Sequence, residues 1–118
     1  MEQKKTRKDR AVDTKNKIFE TAVTLIKSKG YNNVTISEIC QTAGLAKGSF
    51  YVHYNSKEDI VRESYYADMG TYICTHYNEF IASNPNKSVI ERITYFLNLE
   101  FEFAEYAGYE LTCLAYSL

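Results

Sequence analysis

Thr35-Ile-Ser-Glu-Ile-Cys-Gln-Thr-Ala-Gly-Leu-Ala-Lys-Gly-Ser-Phe-Tyr-Val-His-Tyr54 reads as two short helices joined at a glycine. Thr35 and Glu38 stand three apart, the spacing at which a hydroxyl and a carboxylate satisfy the first free N–H groups of a helix. Ile36, Ile39, Cys40 and Ala43 then recur at three- and four-residue steps, one apolar stripe about two turns long. Gly44 supplies the left-handed backbone at which helices commonly stop. A second short helix is expected from about Ala46 to Tyr54. Two helices of this length around a tight turn brace each other at a steep angle, the arrangement of a helix-turn-helix.

Such a second helix fits the major groove of DNA, which is about 12 Å wide and admits one helix. Its residues carry suitable chemistry. Lys47 can reach a phosphate or a guanine edge, and Gly48 lets the backbone come close to a duplex. Ser49, Tyr51 and His53 can project outward, whereas Phe50 and Tyr54, four apart, are expected to face inward toward Ile39. Each residue also has a plainer reading: Thr35 as a helix cap, Lys47 as a solvated charge, Tyr51 as core, and His53 as surface or packing.

The flanks are helical too. From Asp13 to Lys29, Ile18, Phe19, Ala22, Val23, Leu25 and Ile26 form one apolar face, and Gly30 follows as the stop. Ser56 and Asp59 open a long helix from Lys57 that Asn84-Pro85 must end. Ser88 and Glu91 open another, to about Ala107, and Gly108 separates a last segment beginning near Tyr109. No stretch alternates with period two for long, so the fold class is all-α: an N-terminal three-helix bundle with the helix-turn-helix, followed by the long helices of an incomplete C-terminal helical domain.

Composition narrows the function. The 118 residues are 45% apolar, too many for a disordered chain, and no apolar run reaches the roughly 18 residues of a membrane span. Cys40, Cys74 and Cys113 form no Cys-x-x-Cys pair, which speaks against a zinc site or disulfide framework and suits a reducing cytoplasm. His76 has no neighbouring ligand set, so neither metal nor other cofactor is expected. No nucleophile elbow, phosphate loop or His-Glu-x-x-His occurs, and an enzyme is not expected. Charge is unevenly divided: residues 1–62 hold 12 Lys/Arg and 7 Asp/Glu, a net of +5, and residues 63–118 hold 2 and 8, a net of −6. A basic front on an acidic rear suits a nucleic-acid reader joined to a module that does not bind nucleic acid. Much of the excess lies in Lys4, Lys5, Arg7, Lys8 and Arg10, which also read as a solvated, disordered arm.

Thr35, Ala43-Gly44-Leu45, Lys47-Gly48-Ser49-Phe50-Tyr51, His53-Tyr54 and Ser56-Lys57-Glu58 together resemble the DNA-binding domain of TetR-family transcriptional regulators. The resemblance reaches upstream through Ile18-Phe19, Ala22, Leu25 and Gly30-Tyr31 and covers roughly residues 12–72, with Cys40 where Ala is usual and Tyr54 where Phe is usual. It implies that Thr35 and Ser37 touch phosphates or a base edge, that Lys47, Gly48, Ser49, Tyr51 and His53 form the recognition surface, and that Lys57 grips a backbone phosphate. It further implies a palindromic double-stranded DNA operator, a homodimer, a cytoplasmic repressor, and a small-molecule effector in the C-terminal domain that releases the DNA. A different reading remains open, in which the motif is only a packing device in a small-molecule-binding or protein-interaction module.

The domain organisation expected on this basis is a basic arm over 1–11, the DNA-binding domain over 12–72 with its helix-turn-helix at about 35–54, and the start of a sensing and dimerisation domain over 73–118. In the rear, apolar residues from Val89 to Ala107 encircle their helix instead of forming one stripe. Two helices of about 20 residues cannot cover each other that fully, so either another chain supplies cover or more of this chain follows; the resemblance points to a truncated regulator. The eight tyrosines at 65, 66, 72, 77, 95, 106, 109 and 116 read either as core or as the lining of an aromatic ligand pocket.

Overall fold

The computed structural model describes residues 3–117, and these form six α-helices and no strand. They divide into two compact units, one up to Ile60 and the other from Val61 on.

The first unit holds α1 (Arg7–Lys29), a 3₁₀ turn (Tyr31–Asn33), α2 (Ile36–Ala43), α3 (Lys47–His53) and the first turn of α4 (Lys57–Ser83). α1 starts six residues before Asp13, the expected helix start, and eleven before Ile18, the first residue of its apolar stripe. The Thr6 hydroxyl accepts from the Asp9 N–H at 3.1 Å and the Asp9 carboxylate accepts from the Thr6 N–H at 2.9 Å, a reciprocal cap that needs no apolar partner. Arg7, Lys8 and Arg10 of the expected arm are therefore helical and solvent-facing.

Gly44 takes φ +71°, and its N–H donates to the Gln41 carbonyl at 3.2 Å while the Leu45 N–H reaches back to Cys40 at 2.9 Å. This double closure turns the chain between α2 and α3 and carries Leu45 over Cys40, as a Schellman ending does. Ile18 and Ala22 of α1, Val34, Ile39 and Cys40 of α2 and its entry, Phe50 of α3, Tyr54 and Ile60 form one core, with Phe50 fully buried. α1 packs on both α2 and α3, so the helix-turn-helix rests on a third helix.

The second unit contains the remainder of α4, then α5 (Val89–Ala107) and α6 (Tyr109–Tyr116). α4 ends at Ser83, just before Asn84-Pro85, and α5 opens on a full capping box between Ser88 and Glu91. The core here is small and aromatic: Tyr65, Phe103 and Ala115, backed by Met69, Tyr72, Ala107 and Leu111. Tyr65 meets Phe103 edge-on at 5.1 Å, and its hydroxyl lies 3.3 Å from that of Thr112. Leu99 and Phe103 give α5 one buried side, while Ile90 is 72% and Phe101 70% exposed on the other. The all-round apolar character read from the sequence is thus met by cover on a single side.

Candidate nucleic-acid interface

The interface candidate is built on α3, which is seven residues long and held by what it buries. Phe50 is enclosed in the core, and Tyr54 lies just beyond the helix with its N–H donating to the Phe50 carbonyl at 2.9 Å. With these two inward, helical spacing turns residues 47, 48, 51 and 52 outward. Lys47 and Gly48 are exposed, Tyr51 is 52% exposed, and Ser49 and His53 are half-buried at the sides. The Tyr51 ring stands edge-on to Phe50 at 5.4 Å, so it projects from a fixed base. A Cβ on Gly48 would meet nothing within 4 Å, which leaves the strip between Lys47, Tyr51 and Val52 open to an approaching surface.

Val52 is the residue that the sequence reading passed over. It is 76% exposed, a β-branched side chain on the outer face, four residues from Gly48. Its signal was available: with Phe50 and Tyr54 inward, position 52 must point away from the core.

Thr35 and Ser37 lie at the start of α2 and are both exposed. The Thr35 hydroxyl accepts from the Glu38 N–H at 3.1 Å, which leaves its own O–H free to donate. The reciprocal half of this cap is missing because the Glu38 carboxylate is taken by the Lys29 ammonium, a charge-assisted partner stronger than a backbone amide.

Lys57 is half-buried and anchored. Its Nζ donates to the Tyr31 carbonyl at 2.8 Å and sits 4.2 Å from the centre of that residue's ring. The neighbouring Glu58 carboxylate is held below its ordinary range, chiefly by the Tyr31 hydroxyl and then by its own backbone N–H. Lys57 thus engages Tyr31 through both its carbonyl and its ring. The ammonium keeps two of its three N–H donors for another acceptor. The Asp59 carboxylate accepts from the Asn55 N–H at 3.1 Å, closing the entry to α4. A second cation, Lys15 of α1, lies 5.4 Å over the Tyr54 ring.

Among the described residues no group of His, Cys, Asp and Glu side chains could hold a metal ion, and no helix is long and apolar enough to cross a membrane. Cys40 is buried, Cys113 half-buried and Cys74 exposed, all as free thiols.

Residues 18–64 match the family described as bacterial regulatory proteins, tetR family. Curated relatives agree. An uncharacterised HTH-type transcriptional regulator, YerO of Bacillus subtilis, is 33% identical over 82 residues, 68% of this chain and 28% of that protein. IcaR, the HTH-type negative transcriptional regulator of the biofilm operon icaADBC, is 42% identical over 50 residues in Staphylococcus epidermidis, 42% of this chain and 27% of that one. The Staphylococcus aureus (strain Newman) IcaR is 36% identical over 75 residues, 63% of this chain and 37% of its own. The matched stretch thus spans between about a quarter and two-fifths of these relatives. No solved structure matches the chain. The family is one of transcriptional regulators and not of enzymes. The likeness of this chain to the tetR family of bacterial regulatory proteins thus rests on residues 18–64.

Proposed function

We propose that this chain is the DNA-reading part of a cytoplasmic transcriptional repressor. α3 enters the major groove, and α2 and the start of α4 hold it to the backbone on either side. The observation that carries this reading is the division of α3 itself: Phe50 is locked inside while Lys47, Tyr51 and Val52 face solvent around an unobstructed Gly48.

The residues take separate roles. Tyr51, Val52 and Lys47 meet base edges, the first two offering apolar contact to a thymine methyl and the lysine a donor to guanine. His53 and Ser49, at the sides of α3, meet the groove wall. Thr35, Ser37 and Lys57 hold phosphates and set the register. The basic first turns of α1, with Arg7, Lys8 and Arg10, add attraction that carries no sequence information. Residues 12–72 act as the DNA-binding domain, and 73–118 belong to a sensing and dimerisation domain. Two copies read a palindromic operator with half-sites about 34–36 Å apart, and a small molecule bound in the rear releases them. The relative IcaR is a negative regulator, which favours repression over activation.

Fluorescence anisotropy on a palindromic site selected from a random duplex library tests this. Binding should be at least about 10³-fold tighter than to scrambled duplex and should fall steeply with salt. Equal, salt-insensitive binding to both duplexes would leave the motif as a packing device.

A further inference from the structure

The second unit carries an open hollow of about 420 Å³ lined by Asp68, Thr71 and Tyr72 of α4 and by Phe103 and Tyr106 of α5. The three α4 positions are spaced i, i+3 and i+4, and the two α5 positions i, i+3, so each set shares one helix face. The Phe103 ring lies 5.7 Å from Tyr72 and 6.1 Å from Tyr106, tilted by 50° and 47°. The three rings therefore form a bent aromatic wall with a carboxylate on its rim. Tyr106 is 82% exposed, so the outer end of this wall is open to solvent.

We propose that this hollow binds an organic ammonium cation, with Asp68 neutralising the charge and Tyr72, Phe103 and Tyr106 receiving the alkyl groups on their ring faces. Three observations select a cation over a neutral or anionic guest. Aromatic faces carry negative potential and attract ammonium groups within about 6 Å of the ring centre. The Tyr72 hydroxyl donates to the Glu102 carboxylate at 3.2 Å, which pushes electron density into that ring and adds a second negative group beside the wall. From Val61 on, the second unit holds eight carboxylates against three cations, Arg62, Lys87 and Arg92. Arg62 lies six residues before Asp68 on α4, and the other two lie at the turn between α4 and α5, where Lys87 pairs with Glu91 at 3.8 Å and Arg92 donates to the Lys87 carbonyl at 3.1 Å. His76 packs against Tyr72 at 4.3 Å between ring centres and fixes its orientation. The site stands on the geometry of the second unit alone. Only its consequence, that such a cation is the effector, rests on the repressor reading, so failure of one leaves the other distinguishable.

The test is a proton NMR titration of the whole chain with choline and with its neutral carbon isostere, 3,3-dimethylbutan-1-ol. Choline should bind about tenfold more tightly than the alcohol, its methyl signal moving upfield under the ring currents. Asp68→Asn should remove most of that preference, and Tyr106→Ala should weaken both probes, while circular dichroism stays unchanged. Glu79→Gln, an exposed position on α4 outside the hollow, should leave choline binding intact. Equal affinity for the two probes, no binding of either, unchanged affinity in both hollow variants, or an equal loss in Glu79→Gln would each overturn the proposal.

Discussion

The two units use aromatic residues in opposite ways. In the first, Phe50 and Tyr54 close a core drawn from every helix of the unit, and the chemistry of interest sits outside on the back of the same short helix. In the second, the rings pack mainly on one another, with Tyr65 edge-on to Phe103, Tyr66 and Tyr116 and Phe80 stacked on Tyr95 at 3.9 Å. Much of α5 there still faces solvent. A core that interlocks aliphatic and aromatic groups holds a recognition helix at fixed pitch. A ring cluster with an open side can instead rearrange around a guest, because ring pairs tolerate several geometries of similar energy.

Core truncation is the strongest way to break that comparison. Phe50→Ala should cost about 3–5 kcal/mol in urea unfolding of the first unit, since Phe50 is fully enclosed. Phe103→Ala should cost less, because its neighbours include the open hollow and can relax into it. An equal or larger loss at Phe103 would show that the second unit is packed as tightly as the first.

Gly44→Ala should come next. The position is open, so the added methyl meets nothing, but φ +71° is a left-handed conformation that costs a side-chain-bearing residue about 1–2 kcal/mol. Thermal unfolding should report that loss in the first unit; an unchanged midpoint would mean that the turn between α2 and α3 is not held by its glycine.

The smallest effect is a pH dependence. The Glu58 carboxyl titrates below its ordinary value of 4.5 in the folded chain, first because of the Tyr31 hydroxyl. A group lowered on folding binds fewer protons folded than unfolded, so its contribution is complete above the unfolded value and fades as pH falls through the folded one. Stability should therefore decline from about pH 4.5 downward. Tyr31→Phe should shallow that decline, and an identical acid profile in the two proteins would remove the hydroxyl as its cause.

What the sequence made legible was local. Gly44, the Thr35 cap and the inward pair Phe50 and Tyr54 follow from spacing within a few residues, and the end of α4 follows from Pro85. The start of α1 was missed because Thr6 and Asp9 cap a helix whose first turns carry no apolar stripe. The partners of Lys57 and Glu38 were hidden for another reason. Tyr31 is 26 residues from Lys57 and Lys29 is nine from Glu38, so only the folded core brings them together. Exposure along α5 was equally invisible, since apolar composition says that a surface needs cover and not where the cover lies.

The claim that α3 reads bases while α2 and α4 hold phosphates is met most directly by one pair of titrations. Tyr51→Ala and Lys57→Ala would each be measured on selected and scrambled duplex across a salt series, at matched folded fraction. Tyr51→Ala should lose about 1–3 kcal/mol on the selected site only, with its salt slope unchanged. Lys57→Ala should weaken both duplexes alike and lower the salt slope by about one. Equal losses on both duplexes from Tyr51→Ala would contradict the account.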